Sequence, residues 1–205
     1  MIGVGSSVQL ISWFRGFLLL VSALVLVGCS DQASFKGSDI TSGTIGQGWA
    51  LTDHHGVAAP AERFEGKVTV VFFGFTQCPD ICPAALSEVN LALTQLGDRA
   101  RDVRVLMITI DPQRDTPDIL ASYLDIFSQG VPSEFLGLTG NDEQIRQAAR
   151  AFRAYYAKVA TPDGSYTMDH STSFYLFDKS GAARVLVSHQ AGADVLAHDI
   201  AMLLQ

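Results

Sequence analysis

Apolar positions along the chain fall into two periods, and the switches between them mark out the elements. Lys67-Val-Thr-Val-Val-Phe-Phe-Gly-Phe75 is an unbroken β-branched and aromatic run, which predicts a central strand covered on both faces. Cys78-Pro-Asp-Ile-Cys-Pro83 interrupts it. From Ala84 to Leu96 the apolar residues return at Leu86, Val89, Leu93 and Leu96, close to helical spacing, until Gly97 stops the run. The unit reads strand, cysteine loop, helix. Val103 to Ile110 is a second buried strand, Asp111-Pro-Gln-Arg-Asp-Thr-Pro117 a polar loop, and Asp118 to Phe127 a helix, with Thr116 as N-cap and Pro117 at the first helical position. Phe135 to Thr139 predicts a short strand, Asn141 caps a helix running to about Tyr155, and Thr161-Pro-Asp-Gly164 makes a turn. Ser173–Asp178 and Ala183–Ser188 flank Lys179-Ser-Gly181 as a hairpin, and Asp194 to Leu204 closes with a helix. Ahead of all these, Trp49-Ala-Leu-Thr-Asp53 followed by His54-His55-Gly56 suggests an opening hairpin.

Strands separated by helices, then a hairpin and a last helix, give an α/β fold: a mixed sheet covered by helices on both faces. That order is what a thioredoxin-like fold requires. No repeat of fixed period interrupts it, so residues 47–205 read as one domain. Residues 29–46 are small and polar with no sustained apolar period, and read as a flexible tether.

The first segment, residues 1–28, has Arg15 as its only charged side chain and is wholly apolar over most of 17–27. The stretch is too short to span a bilayer comfortably, which takes about 20 residues, and its layout is that of a signal peptide. Leu26-Val27-Gly28-Cys29 resembles the bacterial lipoprotein cleavage box, in which the cysteine is lipidated. Cys29 would then anchor the domain to a membrane of the bacterial cell envelope, on the periplasmic side. Losing Arg15 with this segment takes the formal net charge one unit below the −7 of the whole chain. An acidic surface of this kind argues against nucleic acid as a partner.

With Cys29 assigned to lipid, Cys78 and Cys82 are the remaining cysteines. The roughly 175 residues that follow the leader are enough for a core without disulfide staples. A bridge across so small a loop would in any case add little stability. The pair is therefore better explained by chemistry. Placed between a buried strand and a helix N-terminus, it sits where backbone N–H groups and the helix dipole favour thiolate. Thiolates are nucleophiles and soft metal ligands, so redox exchange, metal binding and a structural disulfide all remain open. Three residues separate the cysteines where thioredoxin-type oxidoreductases generally have two, and no proline follows Pro162, which counts against general disulfide exchange. Zinc in a structural site wants four protein ligands, whereas two thiolates with an imidazole suit copper.

Gly74-Phe-Thr-Gln-Cys-Pro-Asp-Ile-Cys-Pro83, Asp111-Pro-Gln-Arg-Asp-Thr-Pro117 and Asp169-His-Ser171, three separated motifs in one order, together resemble the Sco/SenC family. Phe35–Thr41 and Leu51-Thr-Asp53 also resemble the segment before that family's first strand. The resemblance implies a thioredoxin-like domain that binds one copper per chain, as Cu(I) or Cu(II), through Cys78, Cys82 and His170. It also implies a part in building the binuclear copper centre of cytochrome c oxidase, with that enzyme's copper-site subunit, other copper chaperones and thiol reductants as partners. Some members act on thiols or in redox signalling, so an extracytoplasmic thiol–disulfide reductase or a copper sensor is the alternative.

His170 follows a turn and precedes the strand at Ser173, which lets it project toward the cysteine loop. Asp169 is the candidate acceptor that orients its ring. Asp80, between the cysteines, reads as a turn residue that could also act electrostatically on a metal. Asp111 to Pro117 reads as a capped loop supporting the site from behind. His54 and His55 read as solvated turn residues, and His189 and His198 receive no role.

Overall fold

In the computed structural model, residues 34–41 and 43–205 are described. Segment 1–28 and Cys29 lie outside the described residues. Among these residues the elements are, in chain order, β1 (Ser38–Asp39), β2 (Ala50–Asp53), β3 (Ala58–Pro60), β4 (Val68–Gly74), α1 (Ile81–Leu96), β5 (Val103–Thr109), α2 (Pro117–Phe127), β6 (Glu134–Thr139), α3 (Asp142–Phe152), β7 (Tyr156–Ala160), β8 (Tyr166–His170), β9 (Ser173–Phe177), β10 (Ala183–Ser188) and α4 (Ala193–Leu203).

The sheet has the order β1-β10-β9-β4-β5-β6-β2-β3, while β7 and β8 pair with each other in a separate ribbon. β4 runs parallel to β5, from Val68 opposite Val103 to Gly74 opposite Thr109. β6 continues the parallel set on the far side of β5, and β9 lies antiparallel on the other side of β4. Successive side chains of a strand point to opposite faces, and every residue of β4 is buried. Both faces of the sheet are therefore covered, as the unbroken apolar run requires. α1 packs against α4, α2 against β6 and α3 against β2. Among the described residues no helix is long and apolar enough to cross a membrane.

Four boundaries differ from the sequence reading. α1 starts at Ile81 rather than Ala84, which puts Cys82 inside its first turn. Pro83 does not prevent this, because the first N–H groups of a helix have no intrahelical partner to lose. α3 ends at Phe152 rather than near Tyr155: Arg153 takes a left-handed conformation (φ 54°) and its N–H closes onto the Ala149 and Arg150 carbonyls. The turn at Thr161–Gly164 is the tip of the β7–β8 hairpin, whose strands the sequence reading left out.

The described residues between 34 and 46, read from sequence as part of a flexible tether, are packed onto the domain. Ser38 and Asp39 pair with Leu186 and Val185, and Phe35, Ile40 and Ile45 pack against the core. The N–H groups of Lys36 and Gly37 each donate to the buried Asp199 carboxylate, both at 2.8 Å. Gly37 is needed for this approach, since a Cβ there would fall 2.7 Å from Val185 and 2.9 Å from the Leu186 carbonyl. The compact unit accordingly runs from Phe35 to Gln205.

Candidate metal centre

Topology brings the distant histidine to the cysteines. β9 pairs antiparallel with β4, Thr69 opposite Phe177 and Val71 opposite Tyr175, so β9 begins at the end where β4 finishes. The cysteine loop leaves that end of β4, and His170, the last residue of β8, arrives there just before β9. Across 88 positions of sequence the His170 Nε2 comes within 3.6 Å of Cys82 Sγ. The donor atoms of Cys78, Cys82 and His170 all lie within 4.8 Å of one another, and among the described residues no other such trio of metal-ligating side chains converges.

Each group is held by a specific contact. Cys82 is fully buried, and its sulfur packs over Gly74, where a Cβ would fall 3.0 Å from Sγ and 2.7 Å from the Phe72 ring. Cys78 is half-buried and its Sγ accepts the Cys82 N–H at 3.4 Å. His170 lies edge-on to Phe72 and Phe75, with ring centroids 6.1 and 5.9 Å away. Its Nδ1 is 2.7 Å from the Ser171 carbonyl. A carbonyl can only accept, so Nδ1 carries the proton and a neutral ring keeps its lone pair on Nε2, facing the sulfurs.

That bond replaces the one expected from Asp169, which is exposed and faces away in the ribbon. Asp80 stands at the N-cap position of α1, exposed, with no capping bond from its side chain; its main-chain N–H is what helps hold the Cys78 sulfur. The Asp111–Pro117 loop does support the site from behind. Asp115, buried, accepts from Thr76 Oγ1 and Thr109 Oγ1, each at 2.6 Å, and from the Thr76 N–H at 3.1 Å. This ties the residue just ahead of the cysteine loop to the end of β5.

The two thiols are both free but differ in acidity. Hydrogen bonding from the Cys82 thiol, helped by the N–H groups of Cys82 and Asp80, outweighs burial and holds Cys78 at about 3. Donation to Cys78, followed by burial, pushes the Cys82 thiol up. Tyr123 on α2, which sequence reasoning missed, has its phenol raised chiefly by burial, with the Cys78 thiolate adding to it.

The remaining histidines stay outside this cluster. His54 Nδ1 accepts the Gly137 N–H at 2.9 Å and its Nε2 lies 3.0 Å from that of His55, so His54 fastens β2 to β6 and is less solvated than the sequence suggests. His198 Nδ1 contacts Asp199 at 2.9 Å.

The profile of the SCO1/SenC family matches residues 38–205. An SCO2-like protein of Rickettsia prowazekii is 37% identical over 139 residues, covering 67% of this chain and 66% of its own length. The chain spans about half of the fission-yeast protein sco1, to which it is 38% identical (52% of that protein is covered). Among solved structures, copper-bound ScoI of Bradyrhizobium japonicum is 36% identical with a TM-score of 0.69, covering 77% of this chain and 98% of that one. Copper-bound yeast Sco1 is 31% identical, also at a TM-score of 0.69, covering 78% and 88%. The mixed sheet with its helices matches the thioredoxin-like fold of these solved structures, and with the family profile running through both the cysteine loop and the histidine, the chain belongs to the SCO1/SenC family.

Proposed function

We propose that this chain is a copper-binding chaperone in which Cys78, Cys82 and His170 hold one copper ion per chain and deliver it, the expected recipient being the copper-site subunit of cytochrome c oxidase. The observation that carries the reading is the convergence of two sulfurs and one imidazole nitrogen within 4.8 Å. Copper-bound structures of relatives at 31–36% identity support it.

The donor set fits the metal. Thiolates suit Cu(I), and a neutral imidazole makes Cu(II) tolerable as well. The chain's own residues prepare the site: the Ser171 carbonyl fixes the tautomer of His170, Gly74 gives the Cys82 sulfur its place, and hydrogen bonds to the Cys78 sulfur favour its thiolate. Cys82 gives up its proton on binding, which makes affinity rise with pH. The half-exposed Cys78 is where a partner's ligand would enter for transfer. Delivery would take place outside the cytoplasm, with the domain tethered through Cys29 to a membrane of the bacterial envelope; the signal-like segment and the Leu-Val-Gly-Cys box support that placement. Other copper chaperones and thiol reductants would supply the metal and keep the pair reduced.

One observation favours a second role, thiol–disulfide reduction. An accessible, acidic Cys78 beside a buried, protonated Cys82 is the arrangement of an attacking and a resolving thiol. The Cys78 thiolate would attack a target disulfide and expel one target thiolate, Cys82 would then close the Cys78–Cys82 bond and expel the other, and two electrons and the Cys82 proton would pass to the target, the second proton coming from water.

His170→Ala separates the roles. A chaperone loses stable Cu(II) binding, by more than the about 10- to 100-fold seen on removing an outer-sphere partner, and fails to load a dithiol acceptor. The same variant keeps its disulfide-reducing rate. Cu(II) binding unchanged in His170→Ala would overturn the three-ligand site.

A further inference from the structure

The histidine sits on a ribbon outside the main sheet, with Tyr156 and Met168 packed against the core. β7 and β8 pair only with each other, and an isolated two-stranded ribbon is marginal in water. At its base the Ser171 N–H donates to the Tyr155 carbonyl at 2.9 Å, and the Tyr155 N–H to Ser171 Oγ at 3.0 Å. Further out, one side chain joins the ribbon to the cysteine loop. Arg114 Nη1 donates to the Tyr166 carbonyl on β8 and to Gln77 Oε1, the residue before Cys78, both at 3.0 Å. Its Nε donates to Asp111 Oδ2. The guanidinium lies 3.8 Å from the Tyr166 ring centroid and 6.0 Å from that of Phe75, which itself abuts His170. Tyr166 returns the contact, its hydroxyl donating to Asp111 Oδ1 at 3.0 Å. Lys158 Nζ, 3.4 Å from the Tyr166 centroid, ties the ring to the other strand of the ribbon.

From this we infer that Arg114 is a positioning residue: a latch that fixes the His170 ribbon against the cysteine loop and so sets how long copper stays. The inference rests on the copper reading above for its metal consequence, and on the hydrogen-bond geometry alone for its structural one. Arg114 touches no donor atom. It acts through Gln77 on the approach to Cys78 and through Tyr166 on the strand that ends at His170. The fork is essential, because one guanidinium must reach Asp111, Gln77 and the Tyr166 carbonyl at once while stacking on a ring. A lysine at 114 would keep the charge and lose that reach. Opening the latch would free the ribbon to swing the imidazole away from the sulfurs, leaving a bis-thiolate that still holds Cu(I) but releases Cu(II).

The test uses two readouts on the full chain. In metal-free protein, hydrogen exchange at Tyr156–Ala160 and Tyr166–His170 is expected to quicken about tenfold or more in Arg114→Lys, as a set of charge-assisted bonds is cut, while β4 and β5 keep their protection. In copper-loaded protein, Cu(II) should leave that variant about tenfold faster, with Cu(I) retention unchanged. Tyr166→Phe removes one hydroxyl from a ring that stays stacked and should shift both readouts the same way by less; it serves if Arg114→Lys does not fold. Ribbon exchange equal to wild type in both variants would overturn the latch. Wild-type protein that takes up no copper would overturn the metal site instead, and hydrogen exchange would still decide the latch.

Discussion

Cys78 and Cys82 share one turn of chain yet meet opposite surroundings. One sulfur is half-exposed and receives hydrogen bonds from a thiol and two main-chain N–H groups; the other is enclosed and donates. The pH dependence follows from the direction of each shift. A thiol whose pKa is lowered keeps its thiolate as pH falls until that pKa is reached, so Cys78 should stay reactive far into acid. In metal-free protein, iodoacetamide should label Cys78 between about pH 5 and pH 7, where a thiol of ordinary pKa near 8.5 is mostly protonated. Cys82 should stay unlabelled, as mass spectrometry would show. A rate that climbs only through the ordinary thiol range would contradict the asymmetry. The three converging side chains were legible because thiols, an imidazole and their flanking motifs are side-chain signals. The partner of His170 Nδ1 was not, because the Ser171 acceptor is main chain and any residue there would supply it. Asp169 offered the more conspicuous acceptor in sequence and turns out to face solvent.

At the scale of elements, what was legible is what is buried. β4 and β5 announce themselves as continuous apolar runs, and the Thr116 and Asn141 caps both accept the N–H bonds expected of them. The β7–β8 ribbon was missed because it is half-exposed and its side chains show no clean alternation. β1 was missed because its two residues, Ser38 and Asp39, are polar and exposed; what docks the segment is main chain on the Asp199 carboxylate. That carboxylate is fully buried and serves two N–H donors at 2.8 Å. Asp199→Ala would strand both donors and should cost about 3 kcal/mol of unfolding free energy in denaturant titration. Limited proteolysis should then cut first within residues 35–41. Stability within about 0.5 kcal/mol of wild type, the range of neutral surface changes, would show that the segment is merely laid along the domain.

For the whole molecule, the site lies where a parallel α/β sheet offers a crevice, outside the carboxyl end of its central strand. The order of strands and helices carried that much in sequence, since a strand, a cysteine loop and a helix fix the place of the thiols. It did not carry the approach of His170, which depends on β9 returning antiparallel beside β4 and on the ribbon being held down. Under the proposed function, this arrangement would give copper a site with one side fixed to the sheet and the other on the ribbon. The most direct test is X-ray absorption on the copper-loaded protein in both oxidation states. The account predicts a copper with two sulfur ligands and one nitrogen ligand, the nitrogen lost in His170→Ala and one sulfur lost in Cys78→Ser. A copper surrounded by nitrogen and oxygen alone, or one whose shell is the same in all three proteins, would contradict it.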